Sequence, residues 1–190
     1  MTAEVLAAVL LASTPGLDRP CQLDDCLRLL RERIDVRLAL VEPQAIAGHW
    51  TQGPGLTGGE LYLFEDGSYI STAWGCVLPE TIQDRGRWRF DAGVLDFEAD
   101  SDVTWRLPPS SNRRYAVLIV GGTIRLFGLD GSLQIFEELG ADEPEEWLGV
   151  VSLSQAKRWK GGESRRTKAA LLKSAWRPRY YEEHEHAAER

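Results

Sequence analysis

Between residues 46 and 138 apolar and polar side chains alternate, and turn residues break the alternation every few positions. The breaks are Glu65-Asp66-Gly67, Asp91-Ala92-Gly93, Gly121-Gly122 and Asp130-Gly131. Asp-Gly and Gly-Gly steps supply the positive φ that a tight hairpin needs. The spacing predicts eight or nine short strands, over 46–52, 60–65, 68–76, 84–90, 94–99, 103–107, 114–121, 123–129 and 132–138. No gap between them can hold a crossover helix, so sequential strands must run antiparallel. A meander of this size closes into a barrel or folds as a sandwich. The expected fold is therefore mainly β, an antiparallel up-and-down β-barrel with helical appendages.

One stretch inside this region imitates a nucleotide site. Gly53-x-Gly55-x-x-Gly58 has the spacing of a dinucleotide-binding loop. Such a loop works because its glycines lead into a helix whose free N–H groups hold a pyrophosphate. Here Gly59-Glu60-Leu61-Tyr62-Leu63-Phe64 follows, an alternating aromatic strand running into Asp66-Gly67. Pro54 also removes an N–H from the supposed cradle. The segment reads as a loop and hairpin, and no cofactor is expected.

The flanks differ from the middle. Residues 1–45 read as helical: an Ala/Leu-rich stretch over 3–12, then a helix over 22–41 with apolar positions Leu23, Cys26, Leu27, Leu30, Ile34, Leu38 and Val41, stopped by Pro43. Residues 46–140 form the barrel. Residues 141–190 read as a helix opened by Pro144 and lined by Trp147, Val150, Val151 and Trp159, a Gly161-Gly162 break, and a short basic helix capped by Ser164.

Charge follows the same division. Residues 1–156 carry 12 Arg, no Lys and 24 acids, a net charge of -12; residues 157–190 carry 10 basic residues and 5 acids, a net charge of +5. This is a basic arm on an acidic body. Its bland explanation is an arm lying on its own body. Interleaved with aromatics, it also has the composition of an interface, with Trp159, Arg165, Arg166, Lys168, Lys173, Trp176, Arg177 and Arg179 as the partner-binding residues. An acidic body disfavours nucleic acid, so a protein partner is expected.

Three cysteines, Cys21, Cys26 and Cys76, make no disulfide framework, and buried thiols in a reducing, cytoplasmic setting are expected. The apolar run Val5–Ala12 is too short to span a bilayer, and Glu4 stands where an export signal carries a base.

Gly48-His49-Trp50, followed by Leu61-Tyr62-Leu63-Phe64-Glu65-Asp66-Gly67-Ser68-Tyr69 and then Asp84-Arg85-Gly86-Arg87-Trp88-Arg89-Phe90, resembles the opening of a lipocalin-like, calycin-type barrel. The resemblance covers about residues 46–138. It implies that Gly48 and Trp50 close one barrel end, with Arg125 as the late-strand arginine against the tryptophan. It also suggests a ligand space, for which Tyr62, Tyr69, Trp88, Phe97 and Trp105 are the candidate lining. The long helical lead and the basic tail are not features of that family.

No catalytic constellation is assembled. His49 lies on a strand pointing opposite to Trp50. His184 and His186 sit in an acidic tail, and no metal site is expected. No Gly-x-Ser-x-Gly elbow, Walker loop or His-Glu-x-x-His occurs. The expectation is a non-catalytic interaction protein of accessory or inhibitor type, docking through its helical and basic arms. The alternatives are a carrier of a small apolar ligand and an enzyme on a calycin-like scaffold.

Overall fold

The structure, a computed structural model, describes residues 22–52, 57–75, 78–100, 113–129, 136–137 and 143–173. In chain order the elements are α1 (Leu23–Arg31), β1 (Val36–Leu38), α2 (Pro43–Ile46), β2 (Gly48–Gln52), β3 (Thr57–Leu63), β4 (Ser68–Gly75), β5 (Leu78–Asp91), β6 (Val94–Ala99), β7 (Arg114–Val120), β8 (Thr123–Gly128), α3 (Pro144–Val151), β9 (Ser152–Arg158) and α4 (Glu163–Lys173).

Strands β2 to β9 pair in sequence, each antiparallel to the next, and β9 returns to pair with β2. The result is a closed eight-stranded up-and-down barrel, which leaves no open edge around the ring. The tight turns take the backbone that their residues allow: Gly67, Gly93, Gly121 and Gly122 all have positive φ.

Alternation sorts the side chains between two faces. Trp50, Leu61, Leu63, Tyr69, Trp88, Leu95, Val117, Leu126 and Leu153 point inward and form one buried cluster. An eight-stranded barrel is just wide enough to be filled by side chains in this way. Two further clusters lie outside the wall. One is covered by α1 and α3, with Leu27, Leu30, Leu118, Phe127 and Leu148. The other joins Phe64, Ile70 and Ile82 to Leu171 of α4.

The sequence-predicted helix over 22–41 is two elements. Helix α1 stops at Arg31, and Ile34, Val36 and Leu38 belong to an alternating run. The reason lies in β7. Its Arg114–Ala116 half pairs with β6, which begins only at Val94, so the half from Leu118 to Val120 needs another partner. Strand β1 supplies it, pairing Leu38 with Leu118 and Val36 with Val120. The Gly93 N-terminal to β6 is where β1 and β6 meet. A Cβ there would strike the Leu38 side chain, and φ is +83. Pro43 does not end a helix but opens α2, where its missing N–H costs nothing.

The barrel also extends past residue 140. Its eighth strand is β9, in a region that reads as helical, while 136–137 are helical rather than strand. Helix α3 ends at Val151, and Ser152 continues as β9, pairing with β8 and β2. By register Leu153, Gln155 and, past a bulge, Arg158 share the face of Trp50, so the strand carries little apolar pattern of its own. The expected strand over 103–107, the Asp130-Gly131 turn, the segment 1–21 and the tail beyond Lys173 lie outside the described residues. Cys26 is fully buried and disulfide-bonded, not a free thiol; its partner lies outside the described residues. Among the described residues, no helix is long and apolar enough to cross a membrane.

Candidate functional site

The two barrel ends are built differently. One end holds the short β3–β4, β5–β6 and β7–β8 turns together with Ala39–Ala47. Ile46 and Ala47 are buried there with Trp50, whose Nε1 donates to the Ile46 carbonyl at 2.9 Å. Gly48 permits this closure. A Cβ at that position would lie 2.5 Å from the Lys157 carbonyl oxygen, so only glycine lets β9 approach β2 so closely. Arg125 is not the arginine that meets Trp50. Its register with Leu118 and Ser154 puts it on the outer face, where its Nη1 donates to Ser154 Oγ at 2.9 Å and Ser152 Oγ at 3.4 Å.

The other end carries the polar chemistry of the interior. Strand β5 shifts register against β4 between Ser71 and Thr72, opposite Asp84 and Ile82. This bulge lets Asp84 face inward while Ile82 faces outward into the cluster with Phe64 and Ile70. Asp84 is only 6% exposed. Its Oδ2 accepts the Tyr69 hydroxyl at 2.8 Å and Arg113 Nη1 at 3.0 Å, and its Oδ1 accepts the Arg85 backbone N–H at 2.8 Å. A buried carboxylate is tolerable only with such partners. Burial raises the Tyr69 pKa well above the ordinary phenol value, and its hydrogen bond to the Asp84 carboxylate adds to the shift. The phenol therefore stays a neutral donor at any physiological pH.

Aromatic rings continue the same wall. Tyr69 meets Phe97 edge to face at 4.6 Å, and Phe97 meets Tyr115 edge to face at 5.6 Å. Phe97 and Tyr115 are both half-buried. Together these side chains form an aromatic patch around a partly buried, hydrogen-bonded ion pair at this end of the barrel.

The candidate lining therefore divides. Tyr69, Trp88 and Phe97 are inner-wall residues. Tyr62 is not: it lies on the outer face, stacked on His49 at 4.5 Å and facing Phe64 at 6.5 Å. Trp105 lies outside the described residues. His49 points away from Trp50 and its Nε2 bonds Glu60 Oε2, while Thr51 Oγ1 donates to the other Glu60 oxygen at 3.2 Å. Among the described residues, no cluster of His, Cys, Asp and Glu has the grouping of a metal site. An open depression of about 550 Å³ over Arg31–Val36 is spanned by a bond from Arg31 Nε to the Val36 carbonyl.

The basic arm divides too. Trp159 Nε1 donates to the Leu63 carbonyl at 2.7 Å, and its ring stacks on Phe64 at 5.9 Å. Lys168 Nζ binds Asp66 Oδ2 at 2.7 Å and sits over the Phe64 ring. Ser164 does not cap its helix; its Oγ accepts the Glu65 backbone N–H at 3.2 Å, tying α4 to the β3–β4 hairpin. Arg165, Arg166 and Lys173 are exposed, and Trp176, Arg177 and Arg179 lie outside the described residues. Asp84 and Arg113 escaped the sequence reading. The parity of Asp84 with Gly86, Trp88 and Phe90 was the available signal for Asp84; nothing local marks Arg113.

The fold class is a closed antiparallel eight-stranded β-barrel with helical appendages, compatible with the calycin type. Compared with protein-family models, curated proteins and solved structures, the chain matches none of them.

Proposed function

We propose that the protein is a non-catalytic, lipocalin-like binding protein that takes a small, largely apolar ligand at its mouth, the end of the barrel that carries Asp84. The observation that carries this reading is the Tyr69–Asp84–Arg113 cluster set beneath half-buried Phe97 and Tyr115. Binding sites of this kind combine an aromatic wall with a few fixed polar groups. The other half of the interior is filled by Trp50, Leu61, Leu63 and Trp88, so the ligand is small and sits near the mouth. Docking of a partner protein through the C-terminal arm has less support, because Trp159 and Lys168 already bind the chain's own barrel. The Cys26 disulfide favours an oxidising compartment over the cytoplasm.

Native mass spectrometry of the purified full chain tests the proposal. The expected result is an adduct of a few hundred daltons, on the order of the ligands that pockets of this kind enclose, lost when Phe97 and Tyr115 are both changed to Ala. A folded wild-type protein that neither carries an adduct nor binds an apolar fluorescent probe in competition with small hydrophobic molecules overturns it.

A further inference from the structure

The outer face of α4 answers a different question from the barrel mouth. Its inner stripe, Ser164, Thr167, Lys168 and Leu171, is buried or half-buried against the hairpin and the outer cluster. Its outer stripe is Arg165, Arg166, Ala169, Ala170, Leu172 and Lys173, and all six are exposed. Among the described residues, Arg165 and Lys173 have no ion-pair partner. Leu172 is 45% exposed, one of two large apolar side chains displayed this way among the described residues.

The charge around this face is one-sided. Residues 157–173 hold seven cations, Lys157, Arg158, Lys160, Arg165, Arg166, Lys168 and Lys173, against the single carboxylate Glu163. Glu163 is spent on Lys157. Lys168 is likewise held by Asp66 of the β3–β4 hairpin, which leaves Arg165, Arg166 and Lys173 as the charges displayed on the outer face.

We infer that the outer face of α4 is a docking surface for an anionic membrane. Phosphate headgroups complement Arg165, Arg166 and Lys173, and the acyl boundary complements Leu172 with Ala169 and Ala170. A nucleic acid matches the charge but offers nothing to Leu172, and a long polyanion would run along the acidic body. The helix is fastened on the outside of the wall by Ser164, Lys168 and Leu171, so a flat surface meets it without moving the barrel.

Sedimentation of the full chain with lipid vesicles tests the inference. Binding is expected to vesicles containing phosphatidylglycerol, not to phosphatidylcholine alone, and to weaken with salt. Each cation near an anionic leaflet is worth about fivefold in affinity, so changing Arg165, Arg166 and Lys173 together to Gln lowers binding about a hundredfold. Leu172→Asn lowers it roughly three- to tenfold through lost apolar burial. These four sites are exposed, and unchanged thermal melts confirm that the variants fold. Equal binding to both vesicle types, no binding, an unaffected triple variant, or tighter binding to a DNA or RNA oligonucleotide than to the anionic vesicles overturns the inference. None of these outcomes bears on the ligand at the mouth.

Discussion

Replacing Asp84 with Asn tests whether the inner-wall cluster is organised around a charge. The carboxylate accepts Tyr69, Arg113 and a backbone N–H. An amide of the same shape keeps one acceptor oxygen and turns two donors toward groups that are themselves donors. Hydrogen bonds to a charged group contribute about 1.5–3 kcal/mol each. Breaking a fully buried ion pair costs roughly 3–5 kcal/mol. The Arg113 side chain is 39% exposed, so water recovers part of its loss. The expected net destabilisation is about 2–3 kcal/mol. For a chain of this size that lowers Tm by roughly 4–12 °C. Tyr69→Phe removes one hydrogen bond to the carboxylate but leaves its charge paired with Arg113, and is expected to cost about 1.5–2 kcal/mol. Urea unfolding followed by tryptophan fluorescence measures both variants. If Asp84→Asn unfolds within about 0.5 kcal/mol of wild type, the ordinary range for a surface change, the carboxylate does not organise the wall.

Three further outcomes are expected. Gly48→Ala drives a Cβ into the Lys157 carbonyl and is expected to destabilise by roughly 1–3 kcal/mol, read as a lower urea midpoint at unchanged slope. Trp159→Phe keeps the ring on Phe64 and loses the bond to the Leu63 carbonyl; a loss of about 1 kcal/mol is expected, with earlier proteolysis of α4 than in wild type. Burial opposes ionisation of Asp66, but Lys168 and Ser68 together hold its pKa down to about 2, against an ordinary 3.8. A depressed acid stabilises the fold above its unfolded pKa and loses that contribution as pH falls from about 4 toward 2. Because the Asp66 side chain is 58% exposed, the effect stays below about 1 kcal/mol. Lys168→Ala is expected to raise the Asp66 carboxyl titration midpoint measured by NMR.

The sequence carried the barrel because its hairpins are local. Alternation and Asp-Gly or Gly-Gly turns fix each pair without reference to anything distant, and the strands from β2 to β8 that have such turns are where the pattern expects them. The parts that escaped depend on remote partners. Strand β1 exists because β6 starts late beside β7, a fact stated nowhere near Ile34 or Leu38. Strand β9 exists because a seven-stranded ring needs an eighth member, and Ser152-Leu153-Ser154-Gln155 carries one inward aliphatic side chain to announce it. The helical stripe from Leu23 to Val41 is genuine at its start and coincidental at its end, since 3.6- and 2-residue periods share positions over short runs. Asp84 was visible as an acid in phase with Trp88 and Phe90, but the bulge that then turns Ile82 outward arises from pairing with β4. Arg125 shows the opposite failure: the right residue type on a late strand, one position out of phase with Trp50.

The order in which the ring is completed matters for how the polypeptide is made. Seven consecutive staves can assemble as soon as they leave the ribosome, but the eighth follows only after the stretch between Gly128 and Ser152. At about 5–20 residues per second, that interval lasts roughly 1–5 s. Throughout it the nascent sheet presents β2 and β8 as bare edges, the template for wrong pairing between chains. A fragment cut before Ser152 would be frozen in that unfinished state, and recombinant pieces ending there should be recovered from inclusion bodies rather than from the supernatant.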